Sequence, residues 1–136
     1  MIVSTFVEIE VASAIAKAAR GTPSWQQDEV VRAVPRTVDS FVADYQSGAF
    51  STIEVTPEVL QAGIEQLRSN PLHEIGAGDA IHLVTALAYQ ATNPGDPLVF
   101  ATADQGLYQA ARHHGLRVWN PNFEGSERLA ERLAAD

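Results

Sequence analysis

The chain contains no cysteine. That excludes disulfides, thiolate zinc sites and cysteine nucleophiles, and it fits a reducing compartment. No apolar run approaches the roughly 20 residues that span a bilayer. Polar Ser4 and Thr5 follow Met1-Ile2-Val3 at once, so no signal peptide is expected. Together these absences lead us to expect a cytoplasmic protein with no membrane partner. Basic residues are also scarce: nine lysines and arginines stand against seventeen aspartates and glutamates, a net charge of −8. Such a balance argues against broad electrostatic binding to nucleic acid and suits a basic partner segment. It leaves room for a nuclease, because a bound metal ion reverses the local field of a carboxylate site. No Ser-His-Asp order, glycine-rich phosphate loop, internal repeat or low-complexity tract is visible.

What remains is an ordinary globular composition, 46% hydrophobic and 19% charged over 136 residues. That length is most simply one domain, 1–136, with room for a real core. Ile2 to Val7 reads as a short strand. Glu8 to Arg20 reads as a helix, with Ile9, Ala12, Ala16 and Ala19 at helical spacing, stopped by Gly21-Thr22-Pro23. A second helix runs from a Ser24 cap towards Ser47, and Pro35 is expected to break or kink it. Its apolar stripe is Val30, Val31, Val34, Val38, Phe41, Val42 and Tyr45, and Gly48 ends it. Phe50 to Val55 alternates as a strand. Thr56-Pro57 supplies a cap and a first-turn proline for a helix whose buried side is read as Val59, Leu60, Ile64 and Leu67.

Asn70-Pro71 opens a loop that ends at Gly76-Ala77-Gly78. The segment Asp79 to Gln90 is apolar nearly all round, which predicts a buried helix. A turn at Asn93 to Pro97 leads to a buried strand, Leu98 to Thr102. Asp104 to His114 is a helix stopped by Gly115. Leu116 to Trp119 is a last strand ended by Asn120-Pro121, and Ser126 to Ala135 is a short charged helix. Strands alternating with helices predict an α/β fold with a mostly parallel sheet and helices on both faces; four strands are visible.

Three acids stand in telling contexts. Glu10 lies in Ser4-Thr5-Phe6-Val7-Glu8-Ile9-Glu10-Val11-Ala12-Ser13-Ala14. Asp79 opens Asp79-Ala80-Ile81-His82-Leu83, and Asp104 closes Thr102-Ala103-Asp104. Each sits where a strand or loop runs into a helix, and in an α/β protein such junctions gather along one sheet edge. Converging carboxylates need a cation, and hard oxygen ligands favour magnesium or manganese. Each acid also has a plainer role open to it. Asp79 and Asp104 suit helix N-caps, and Glu10 a solvated helix face. Thr102 either bonds a carboxylate or a metal-bound water, or simply ends its strand. His82, one turn after Asp79, reads as structural, and His113-His114 as a helix C-terminus favoured by the dipole. Lys17, Arg20, Arg112 and Arg117 read as solvated, and Trp25 and Trp119 as packing residues.

In this order the three contexts resemble the PIN domain family, especially the VapC-type toxins of bacterial toxin–antitoxin pairs. The Ser4-to-Glu10 spacing with Val-Ala-Ser-Ala is similar to the family's second acidic motif, and Asp79-Ala80-Ile81-His82-Leu83 to its third. Phe100 to Asp104, with Ala110-Ala111, Gly115 to Val118 and Asn120-Pro121, is similar to its fourth motif and closing strand. The resemblance covers nearly the whole chain. It implies a three-layer α/β/α fold and metal-dependent hydrolysis of RNA, with Mg2+ or Mn2+ held by Glu10, Asp79 and Asp104 and with Thr102 behind them. It also implies a small antitoxin partner and a homodimer. Family members open with a strand carrying an aspartate, about 30 residues ahead of the Glu10 motif. That strand is central in a five-stranded sheet, and nothing here matches it. The expectation is therefore a PIN-like domain without its first strand and acid. It is truncated, degenerate or completed by a partner; Glu8 could replace the lost acid. The alternative to a ribonuclease is a non-catalytic binding module on the same fold.

Overall fold

In a computed structural model the described residues are 2–23, 27–48, 50–69 and 75–134, without the side chains of residues 8, 19 and 27. Contacts between Cα atoms divide the chain into two compact units, Met1–Glu54 and Val55–Asp136. Among the described residues no helix is long and apolar enough to cross a membrane.

The first unit is a strand–helix–helix–strand arrangement. Strand β1 (Ile2–Ser4) leads into helix α1 (Val7–Arg20) and helix α2 (Gln27–Gln46), which return the chain to strand β2 (Ser51–Ile53). β1 and β2 pair in parallel, Ile2 opposite Ser51 and Ser4 opposite Ile53, as a helical crossover permits. Thr5 extends the ladder by donating its amide to the Ile53 carbonyl at 2.9 Å. The expected apolar stripe of α2 is half-buried at Val30, Val34, Val38, Phe41, Val42 and Tyr45. Phe41, Tyr45 and Phe50 form a triangle of tilted rings with centroids 6.1, 6.2 and 6.4 Å apart, spacings typical of favourable aromatic pairs.

Two sequence expectations change here. Pro35 does not end its helix, because α2 runs from Gln27 to Gln46 with the proline inside. Pro35 is exposed, so the carbonyl that loses its donor four residues earlier lies on the side open to water. Ile9, read as part of the apolar spacing of α1, is 65% exposed, as is Val31 of α2.

The second unit holds the tightest packing. Helix α3 (Pro57–Ser69) packs on helix α4 (Ala77–Thr92); strand β3 (Val99–Ala101), helix α5 (Gln105–His113) and strand β4 (Arg117–Trp119) form a βαβ unit; helix α6 (Ser126–Ala134) closes the series. Thr56 caps α3 as expected: its Oγ1 accepts the Val59 amide at 3.4 Å, and Pro57 occupies the first helical position, where no amide is needed. A hydrogen bond from the Thr56 side chain also holds the Glu58 carboxyl below the usual carboxylate range.

The buried side of α3 differs from the expectation. Gly63 is buried and Val59, Gln66 and Leu67 are half-buried, while Leu60 and Ile64 are 45% and 51% exposed. Rotating α3 to present Gly63 brings its backbone close to α4; a Cβ there would lie 3.8 Å from Ile81 Cγ1. The near-uniform apolarity of α4 is explained by burial of Ala80, Leu83, Val84 and Thr85.

β3 and β4 pair in parallel, Val99 opposite Arg117 and Ala101 opposite Trp119. Side chains on a strand alternate between faces. Phe100, Leu98, Leu116 and Val118 therefore point to one side, where they join Leu83, Leu107, Ala110 and Ala111 in a core cluster. Arg117 and Trp119 point to the other side and bind α6 and the turn before it. Arg117 Nη1 donates to the Arg132 carbonyl at 2.8 Å, and Trp119 Nε1 to the Gly125 carbonyl at 3.1 Å. Helices thus cover both faces of this pair.

The four expected strands are present and parallel, so the α/β class holds. They form two two-stranded sheets rather than one. Each strand pairs with the strand its own helical crossover delivers, and among the described residues no further strand adds to either pair.

Candidate functional site

Asp104 stands at the end of β3 as the N-cap of α5. Its backbone is extended, with φ −78° and ψ 128°, and Oδ1 accepts the Leu107 amide at 2.7 Å. This satisfies one of the amides that a helix start leaves without partners. Thr102 Oγ1 accepts the Asp104 amide at 3.1 Å, and the Thr102 amide continues the ladder to the Trp119 carbonyl at 3.0 Å. Thr102 therefore fixes the Asp104 backbone rather than its carboxylate.

Asp79 occupies the third position of α4, not the cap. The helix begins at Ala77 with Gly76 as its N-cap. Asp79 Oδ2 reaches back to accept the Gly76 amide at 2.8 Å. This is the acidic half of a capping box; Gly76 has no side chain to make the other half. His82 lies one turn further on, half-buried. Glu10 is half-buried in the first unit, at the fourth residue of α1.

The structure joins Thr102 to Asp104 by a direct hydrogen bond. Asp79 and Asp104 lie on α4 and α5, helices that meet at the Leu83–Leu107 core cluster; no hydrogen bond joins their carboxylates. Among the described residues no group of three His, Asp or Glu side chains is arranged to hold a metal. The donor chemistry of the two aspartates fits a hard divalent ion. Each commits one carboxylate oxygen to a backbone amide and keeps the other outside any hydrogen bond among the described residues.

Four polar links escaped the sequence reading. Gln66 Nε2 and His114 Nε2 lie 2.6 Å apart, tying α3 to the C-cap of α5. Asn120, read only as the end of a strand, is 1% exposed; its amide donates to Glu124 Oε2 at 3.0 Å and its Oδ1 accepts the Asn122 amide at 2.9 Å. Glu124 in turn pairs with Arg132 of α6. The Asn-Pro step signalled a turn, but nothing in it signalled a buried carboxamide.

Comparison of the chain with protein-family models, with curated proteins and with solved structures gave no match.

Proposed function

We propose that the chain is a PIN-type ribonuclease that depends on magnesium or manganese, with Glu10, Asp79 and Asp104 as the acids that hold the metal. The observation that carries this reading is the matched state of Asp79 and Asp104. Asp79 lies in the first turn of α4 and Asp104 caps α5, and each spends one oxygen on a helix-start amide and keeps one in reserve. When bound, a divalent ion would activate water and neutralise charge on the scissile phosphate. In this scheme the chain's own residues position the donors. The Leu107 and Gly76 amides hold the two carboxylates in fixed rotamers, and Thr102 fixes the backbone under Asp104. RNA is the proposed substrate. A small basic antitoxin is the proposed protein partner, in keeping with the net charge of −8, and a homodimer the proposed assembly.

The second reading is a non-catalytic binding module on the same fold. It is favoured by the lack of a three-carboxylate group among the described residues. Cleavage of a mixed structured RNA with manganese or magnesium, beside EDTA, Asp79→Asn and Asp104→Asn, separates the two. Asparagine retains the oxygen that caps the helix, so these variants keep the fold and remove the charge. Metal-dependent cleavage lost in both variants is the expected result; no cleavage by the parent chain would leave the binding module.

A further inference from the structure

The β3–β4 pair is covered on both faces, as parallel strands usually are, yet among the described residues no third strand pairs with either of its edges; the edge of β3 is the one whose sequence suits a neighbour. The Thr102 amide points to β4, where it meets the Trp119 carbonyl. Peptide groups alternate in direction along a strand, so those of Phe100 also face β4. Those of Val99 and Ala101 face away. β3 pairs with β4 alone, and among the described residues no partner meets the outward groups of Val99 and Ala101. Ala101 is exposed and Val99 half-buried, so the edge is within reach of another molecule.

The composition of β3 is that of an interior strand. Leu98 to Ala101 is an unbroken apolar run, the pattern of a parallel strand with neighbours on both sides. Edge strands usually carry charge or proline that discourages pairing. β4, with Arg117 at its start, fits that description, and β3 does not.

We infer that the open edge of β3 accepts a further strand, an extended apolar segment of another polypeptide, laid parallel so that its peptide groups meet those of Val99 and Ala101. Main-chain hydrogen bonds would give the affinity, and apolar side chains on both faces the fit. The excess of seventeen acids over nine bases favours a segment with basic flanks. A second copy fits less well, because a twofold axis would set β3 antiparallel against itself. This inference stands apart from the ribonuclease reading and holds or fails without it.

The test is amide hydrogen exchange on the full chain, followed by NMR, with a synthetic Val/Ile/Thr peptide flanked by lysines as the probe. In the chain alone the Phe100 and Thr102 amides are expected to be protected and those of Val99 and Ala101 to exchange freely. Peptide should slow exchange at Val99 and Ala101 by about tenfold or more. Ala101→Pro removes one outward amide and should abolish binding while Phe100 stays protected. If that variant loses the Phe100 protection, a peptide N-methylated at alternate residues replaces it and is expected not to bind. Protection of Val99 and Ala101 in the chain alone at every concentration overturns the inference, as does peptide that leaves them unprotected. Protection that grows with protein concentration, alongside dimerisation in sedimentation, overturns it in favour of a second copy.

Discussion

Oδ1 of Asp104 accepts the Leu107 amide at 2.7 Å, so the acid at the end of β3 also starts α5. One side chain then carries two separable roles, capping and charge. Asp104→Ala removes both and should destabilise the chain by about 1 kcal/mol. Asp104→Asn keeps the acceptor and should fall within a few tenths of the parent. Denaturant midpoints decide this; an asparagine variant as weak as the alanine one would show that the cap is not what holds the turn.

Gly63 gives a prediction of opposite sign. An added Cβ would meet Ile81 Cγ1 at 3.8 Å, an ordinary contact, and alanine is favoured over glycine within a helix by about 1 kcal/mol. Gly63→Ala should therefore raise stability by up to that amount. Gly63→Leu should lower it by about 1–3 kcal/mol through overpacking against α4. Thermal unfolding of the pair tests the close approach of α3; a stable leucine variant would contradict it.

Gly115 ends α5 with φ +81°. Its amide returns to the Arg112 carbonyl at 3.0 Å and that of Leu116 to Ala111 at 3.1 Å, the two bonds of a Schellman stop. Nothing crowds the position, so only the backbone conformation resists a side chain. Gly115→Ala should cost about 1–2 kcal/mol, measured by denaturation, while Gly95→Ala, at an open turn with no such φ, should cost far less.

Tyr89 and Asp96 supply a pH dependence. The phenol donates to Asp96 Oδ2, and that hydrogen bond raises the Tyr89 pKa above its ordinary value. The folded chain then keeps the phenolic proton where the unfolded chain releases it. The resulting stabilisation is fully present below pH about 10 and is lost as pH rises through the raised folded value. Asp96→Ala should move the Tyr89 phenolate absorbance to lower pH; an unmoved titration would remove the pair from the account.

Local signals foretold the elements well. Thr56-Pro57, Gly115 and the alternation of apolar runs and turns each specify a boundary through backbone chemistry that acts over a few residues. The rotation of α3 was not legible. Leu60 and Ile64 match an apolar stripe as well as Val59 and Leu67 do, and only the nearness of Gly63 to α4 decides between them. Pro35 does not break α2, because the packing of the Val30-to-Tyr45 stripe along the helix outweighs the local cost of the proline. At the site, the contexts of Asp79 and Asp104 announced helix starts, and both acids do bind helix-start amides. Whether Glu10 joins them depends on long-range placement, to which residue spacing is blind.

All the fully buried apolar residues among those described lie between Ala80 and Val118. That stretch should behave as the slowest-opening foldon of the chain, its amides the last to exchange with solvent. Asp79 and Asp104 flank or sit inside it. Their geometry would then outlast fraying elsewhere, and the β1–α1–α2–β2 unit, whose helices bury no residue fully among those described, would respond first to heat, protease or a binding partner.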